Sequence, residues 1–464
     1  MSSARGDSGS FRDPESRVFS VAGEVRRALS PAGLADFLAV SDSGLLDDPR
    51  VIRTERIDTT VAPVELPGGV AAVLRHARVP FVSYPYEWTF SMLRDAALLQ
   101  LDLTLAAVER GLMVKDATPY NVQFVGARPV FIDVGSFERL HADELWVGYR
   151  QFCMQYLFPL LLQAHKRVAF QPWLRGAVDG IAATDFRGVT SWRDRFRRGY
   201  FTNVFLQARL DRRAGAQVER RPKAFNAEVA TRLITANVTK MRKLIARLEW
   251  NPPQGEWVRY GDDNSYSAAD AAAKDAFVRA AVATRRWSLA WDLGCNNGRH
   301  ARIAAERADY VVAVDGDPAT VDLLYRDLRA QGVTTILPLT VNLADPSPAL
   351  GWRGRERPSL GERGRPDLVL ALALVHHLAI GNNVPLAEVV DWLASLGAAL
   401  IVEFPTRDDP MVQSLLVRKR RDLHLDYDAA AFERVLADAF VIARQETLGS
   451  GTRTLYFATP KETR

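Results

Sequence analysis

A two-part α/β chain is what the 464-residue sequence predicts: an α+β N-terminal half, then an α/β half on a seven-stranded, mainly parallel sheet ending in an antiparallel hairpin. Three observations lead there. At about 100–200 residues per domain, the length calls for two domains. A Pro/Gly-rich joint, Asn251-Pro252-Pro253-Gln254-Gly255, follows an amphipathic stretch in which Val238, Met241, Ile245 and Leu248 recur at helical spacing. Past the joint, short β-branched runs alternate with helical segments, the pattern of a parallel sheet covered by helices. The expected division is a Ser-, Gly- and Asp-rich disordered tail over 1–16, one domain over 17–250 and a second over 251–464.

Composition narrows the partners. Apolar residues make up 48% and charged residues 25%, which excludes a disordered chain. Sixty basic against 55 acidic residues leave +5, and the short arginine clusters Arg193–Arg198, Arg353–Arg365 and Arg418–Arg421 do not form one basic face, so no nucleic-acid partner is expected. Cys153 and Cys295 are too few for a disulfide framework and lack metal-binding spacing, so a reducing, cytoplasmic setting is expected. The first residues have no apolar signal-peptide core. The longest apolar run, Phe152–Leu162, is interrupted by Gln155 and Pro159 and falls short of the roughly 20 residues of a membrane span, so no membrane partner is expected.

The elements follow in order. Phe90–Arg110 carries a helical apolar stripe that stops at Gly111. In the second half a helix is expected over Ser267–Thr284, then a strand Ser288–Leu293 running into Gly294-Cys295-Asn296-Asn297-Gly298, and a helix from Arg299 to Arg307. Strand Tyr310–Val314 leads to Asp315-Gly316-Asp317-Pro318, where Asp317 is placed to cap the next helix and Pro318 suits its first turn. Further strands are Thr335–Val341, Leu368–Leu374 and Ala399–Glu403. Val441–Glu446 and Thr454–Thr459 close as a hairpin around Gly449-Ser450-Gly451.

Trp291 to Gly298 is the most informative segment. A strand that ends in a glycine turn and feeds a helix brings backbone N–H groups against a ligand, because glycine has no Cβ to block the approach. The glycines at 294 and 298 do not give the G-x-G-x-x-G of dinucleotide folds, and an acid, Asp292, precedes the turn. A second acid, Asp315, ends the next strand, where a carboxylate can accept two hydrogen bonds from a ribose diol.

With these motifs, residues from about 255 to 464 resemble a class I S-adenosylmethionine-dependent methyltransferase, with a Rossmann-like seven-stranded sheet. Asp-Leu-Gly-Cys-x-x-Gly, the following Val-Asp, and Asn342-Leu343 stand in the order of that family's cofactor motifs. The resemblance implies S-adenosyl-L-methionine as cofactor, held by Asp292, Gly294, Cys295, Asn296 and Gly298 at its methionine end, by Asp315 at the ribose, and by Asn342 and Leu343 at the adenine. Asn296 departs from the usual glycine, and asparagine tolerates the left-handed conformation such a turn needs. Leu372 to Leu378, Glu403-Phe404-Pro405 and Asp408-Asp409-Pro410 are similar to a nodulation-protein-like branch, in which Tyr266 and Lys274 would sit over the cofactor.

Methyl transfer needs the acceptor aligned with the methyl group, worth up to about 7–11 kcal/mol of barrier. A base adds about 10²–10⁴-fold. His376 and His377 lie past the fourth strand and Glu403 ends the fifth, so these three are the candidate catalytic residues. In an extended segment the two histidines point opposite ways and one reaches the acceptor. Glu403 either orients a histidine or binds the acceptor, or it anchors a loop by accepting backbone hydrogen bonds. Their spacing enforces no metal site, and none is expected. Asp345–Pro366, with five arginines, reads as an exposed insertion that either recognises an anionic acceptor or is a plain loop.

In the first half, Asp116 is followed five residues later by Asn121, then by a hairpin and Asp133-Val134-Gly135. This order resembles the catalytic loop and metal-binding segment of a protein-kinase-like or aminoglycoside-phosphotransferase-like fold. The likeness implies Asp116 as base and Asn121 and Asp133 as magnesium ligands. Yet no lysine precedes Lys115 and no glycine-rich phosphate loop is present, so a degenerate kinase-like domain is expected. The overall expectation is a methyltransferase acting on a small-molecule or sugar-like acceptor. The alternatives are an ATP-dependent small-molecule phosphotransferase using Asp116, Asn121 and Asp133, and a non-catalytic binding module.

Overall fold

The structure, a computed structural model, describes residues 5–141, 145–209, 227–252, 266–417, 419, 424 and 426–461. Two compact units emerge. One comprises Met1–Phe124, Pro129–Asn251 and Ala349–Arg357; the other comprises Val125–Arg128, Pro252–Pro348 and Pro358–Arg464.

The first unit opens on an antiparallel sheet of β1 (Arg5–Gly6), β2 (Ser16–Val21), β3 (Glu24–Leu29), β4 (Thr54–Ile57) and β5 (Ala72–His76), in the order β1-β2-β3-β5-β4. The expected tail is therefore corrected: Arg5 pairs with Ser20, and Ser16 is buried. One face of this sheet packs around Phe19, Ala28, Leu66 and Val73. Helix α1 (Pro31–Asp42) is capped by Ser30, whose side chain accepts from the Gly33 N–H. Helix α2 (Phe90–Val108), capped by Thr89, buries residues on almost every side, which marks it as the axis of this unit's core. Beyond it, β6 (Leu112–Val114) pairs with β9 (Phe137–Arg139), and β7 (Val122–Val125) forms a hairpin with β8 (Arg128–Phe131). Helix α3 runs over Ala227–Ile245, ending before the buried Leu248 that shares its periodicity.

The second unit begins with α4 (Ala268–Val282), capped by Ser267. Then come β10 (Trp287–Leu293), α5 (Arg299–Ala305), β11 (Ala308–Asp315), α6 (Pro318–Ala330), β12 (Ile336–Thr340) and β13 (Leu368–Ala371). After α7 (Leu386–Ser395) follow β14 (Ala399–Pro405), α8 (Pro410–Leu416), α9 (Ala429–Ala439), β15 (Phe440–Thr447) and β16 (Arg453–Pro460). The sheet order is β12-β11-β10-β13-β14-β16-β15, parallel except for β16, which runs antiparallel between β14 and β15. Strands β13 and β14 are buried along their whole length, as strands covered on both faces must be. Asp317 accepts from the Ala319 and Thr320 N–H groups and so caps α6, with Pro318 in its first turn.

The topology fixes where a ligand can sit. From β10 the chain builds outward through β11 and β12, then returns to place β13 on the other side of β10. The crevice at this switch point lies beyond the carboxyl ends of the strands. Two expectations change here. β13 stops at Ala371 because Ala373 takes φ +51°, so the histidines after it are not in an extended segment. The Asp345–Pro366 stretch is not a plain exposed loop: its Ala349–Arg357 portion belongs to the first unit, where Glu356 is buried against Arg12 at 2.6 Å and Arg357 lies over the Tyr120 ring at 3.8 Å.

Candidate functional site

A cavity of about 510 Å³ opens at the switch point of the second unit. Its wall is assembled from the segments that follow successive strands: Gly294–Asn297 after β10, Asp315–Asp317 closing β11, Val341–Ala344 after β12, and Leu372–Leu374 with His377 and Leu378 after β13.

The glycine turn is held by the sheet itself. The Gly294 and Cys295 N–H groups both donate to the Val314 carbonyl at 2.9 Å. Gly294 and Gly298 adopt φ +79° and +77°, and Asn296 takes φ +46°, the left-handed conformation that asparagine tolerates. At Gly298 the positive φ favours glycine, and a Cβ would lie 2.6 Å from the tip of the Leu324 side chain, which would have to shift. Cys295 is buried beneath the turn, and burial, followed by Asp315, pushes its thiol well above the usual range.

Asp315 braces the turn. Its Oδ2 accepts the Asn296 N–H at 2.9 Å and its Oδ1 the Asp317 N–H at 3.0 Å. Burial raises its carboxyl. Asn342 is exposed in the wall, its Oδ1 accepting the Ala344 N–H at 3.0 Å, and Leu343 lines the cavity next to it. Asp292 is placed differently. It is 2% exposed and not part of the wall, its Oδ2 has no hydrogen-bond partner among the described residues, and burial, then Asp315, push its carboxyl up to about 7.

The candidate catalytic residues divide as well. His377 lines the cavity, and burial, helped by Arg453, pulls its imidazole down to about 4. His376 is fully buried, with neither ring nitrogen hydrogen-bonded among the described residues, and burial holds it well below the usual range. The rings do not point opposite ways: His376 is helical, and their centroids are 4.1 Å apart. Glu403 is completely buried and does not reach the wall. It accepts from the Tyr266 hydroxyl at 2.6 Å and from the Lys274 ammonium at 2.7 Å. Burial alone would raise its carboxyl, but Lys274 and Arg453 outweigh burial and hold it low. Lys274 and Tyr266 both line the cavity, so the fold brings these two cofactor candidates onto the catalytic candidate Glu403.

Two polar groups around the site, Asp275 and Arg453, escaped sequence reading. Asp275 lines the cavity and pairs with Arg299 at 2.6 Å and His300 at 3.4 Å, while Asp409 and Arg453 lock together behind Glu403. Asp409, quoted above within Asp408-Asp409-Pro410, caps α8 ahead of Pro410. Arg453 sits on a strand between two threonines and carries no motif. Among the described residues no cluster of His, Cys, Asp and Glu could hold a metal ion, and no helix is long and apolar enough to cross a membrane.

In the first unit, Asn121 and Asp133 bond to protein partners, and Asp116 takes part through its backbone carbonyl. Arg27 of β3 pairs with Asp133 at 2.7 Å, Ser136 donates to Asp133 at 2.6 Å, and the Asn121 amide donates to Ser136 at 2.9 Å and to the Asp116 carbonyl at 3.4 Å.

Comparison with known proteins places these features in context. No protein-family model matches the chain. The nodulation protein NoeA of Rhizobium meliloti (strain 1021) is 34% identical over 461 residues, covering 97% of this chain and 94% of that protein. Among solved structures, the N-methyltransferase NodS from Bradyrhizobium japonicum WM9 in complex with S-adenosyl-l-homocysteine aligns over 45% of this chain and 94% of its own, at 13% identity and a TM-score of 0.32. The magnesium protoporphyrin IX methyltransferase (ChlM) of Synechocystis PCC 6803 with bound S-adenosylhomocysteine aligns over 44% and 93%, at 19% identity and a TM-score of 0.32.

Proposed function

The chain belongs to the family of the nodulation protein NoeA, and we propose that its second unit transfers a methyl group from S-adenosylmethionine to a small-molecule or sugar-like acceptor. One observation carries the reading: four successive strand ends deliver a glycine turn, a ribose-type carboxylate, an adenine-type asparagine and a histidine to a single cavity of about 510 Å³. The residues present suit this donor. The turn brings the Gly294–Asn297 backbone against the cavity, Asp315 keeps lone pairs for a diol, and Asn342 stands exposed for the adenine amine.

When bound, the donor supplies an electrophilic methyl group. The protein's task is alignment. His377 is the group that faces the acceptor. With an imidazole near 4 it is neutral at neutral pH and accepts a hydrogen bond from a hydroxyl or amine, so it orients the nucleophile more than it removes a proton. His376 and Glu403 are both buried away from the cavity: Glu403 holds Tyr266 and Lys274, and His376 packs its ring against that of His377.

The first unit we read as a kinase-like domain without nucleotide chemistry. Supporting this, the Asp133 carboxylate is already taken up by Arg27 and Ser136.

The test is mass spectrometry of a cell extract incubated with the protein and methyl-labelled S-adenosylmethionine. One newly labelled small molecule, absent with the Asp315→Ala variant, is expected. Label that appears nowhere, together with no calorimetric binding of S-adenosylhomocysteine, would overturn the reading.

A further inference from the structure

Five polar side chains from three distant stretches of the second unit, 266–274, 403–409 and 453, meet behind the cavity. Arg453, on β16 and 2% exposed, grips Asp409 with one edge of its guanidinium: Nε donates to Oδ2 at 2.7 Å and Nη2 to Oδ1 at 3.0 Å. Its remaining nitrogen donates to the Tyr266 hydroxyl and lies 3.5 Å from Glu403 Oε1. Lys274 donates to the same hydroxyl at 2.9 Å and to Glu403 at 2.7 Å.

The Tyr266 oxygen is thereby saturated. A phenol has one proton to give and two lone pairs to offer. The proton goes to Glu403 at 2.6 Å, and the lone pairs take Lys274 and Arg453. The ring is held too, with Lys274 4.6 Å and Arg453 4.3 Å from its centroid. Tyr266 thus has no hydroxyl function left for a substrate, and what it gives the cavity is its ring, in one fixed place.

Two cations and two anions balance within the cluster. Burying such a set is a poor way to gain stability, because apolar side chains of similar volume commonly do as well, and its specific product is geometry. We infer that Arg453 is a positioning residue: through the Tyr266 hydroxyl it fixes the Tyr266 ring and Lys274 in the wall of the donor cavity. This rests on the methyl-transfer reading of that cavity and names a residue the reading does not need. Arginine suits the task because one planar fork spans Asp409 and Tyr266 together, whereas a lysine ammonium is a point charge.

The test is a double-variant cycle read by calorimetry with S-adenosylhomocysteine. Arg453→Lys keeps the buried charge and loses the fork; Tyr266→Phe keeps the ring and loses the hydroxyl. Each alone is expected to weaken binding about tenfold, and the double variant no more than either single one, because both cut the same link. Multiplying losses would show that Arg453 acts by another route and would overturn the inference, as would undiminished binding in Tyr266→Phe. If Arg453→Lys does not fold, Asp409→Asn takes its place in the cycle. Wild-type protein that does not bind the ligand refutes the methyl-transfer reading itself, whereas failure of the cycle alone leaves that reading standing.

Discussion

Asp315 has two jobs in this structure, and an alanine there separates them. Two of its lone pairs already hold the Asn296 and Asp317 N–H groups at 2.9 and 3.0 Å. A carboxylate has about four such sites, so two remain for the hydroxyls of a ribose. Charge-assisted bonds contribute about 1.5–3 kcal/mol each, so loss of even one weakens donor binding about tenfold or more. The assay is calorimetry with S-adenosylhomocysteine, run in parallel with an analogue whose ribose hydroxyls are removed. If the carboxylate binds the diol, Asp315→Ala loses at least tenfold for the natural ligand and little for the analogue. If it only braces the turn, both ligands lose equally. Unchanged affinity for the natural ligand in Asp315→Ala would refute the ribose assignment outright. Acid should act in the same direction as the substitution. Burial raises the Asp315 carboxyl, so it is neutralised at a higher pH than an exposed aspartate and binding fades as pH falls.

Two predictions concern the floor and the turn. The folded protein holds a proton on Asp292 up to about pH 7, whereas the unfolded chain releases it near about 3.9; stability therefore falls as pH rises from about 4 through 7. Asp292→Asn should flatten that decline and raise the melting temperature at pH 8, and melting curves that keep the wild-type pH profile would contradict the burial argument. Gly298→Ala forces a side chain into φ +77° and brings its Cβ to 2.6 Å from Leu324, at a combined cost of about 2–4 kcal/mol, whereas Gly294→Ala meets only ordinary contact with Leu374 at 3.6 Å and should cost about half as much by thermal melting.

Legibility followed the kind of signal each segment carried. Strands β13 and β14 declared themselves because they are buried along their whole length and read as nearly unbroken apolar runs, and Asp317-Pro318 announced α6 through its cap. The first sheet did not. Its strands mix arginines with apolar residues, and β2 buries only Ser16 and Phe19 fully, so no clean alternation marks it. The relation of His376 to His377 was misjudged because the positive φ of Ala373, three residues before the pair, ends the strand early. Arg453 was invisible because its partners lie 44 and 187 residues away in the chain.

The three acids assigned to strand ends show why position along a strand is not depth within a site. Asp315 is the last residue of β11, paired with Thr340, and the chain turns away immediately after it, so its carboxylate faces the cavity. Asp292 has Leu293 beyond it, still paired with Val314, and drops below the turn. Glu403 has two more paired residues, Phe404 opposite Thr454 and Pro405 opposite Arg453, because the antiparallel β16 extends β14 past the level at which its parallel neighbours stop. A carboxylate two residues inside a strand is enclosed by the sheet and must find a cation there, and Lys274 and Arg453 supply it. The hairpin that caps this sheet therefore does more than close its edge. By lengthening β14 it turns a strand-end acid that the sequence offers as a catalyst into the buried anchor of the cavity wall.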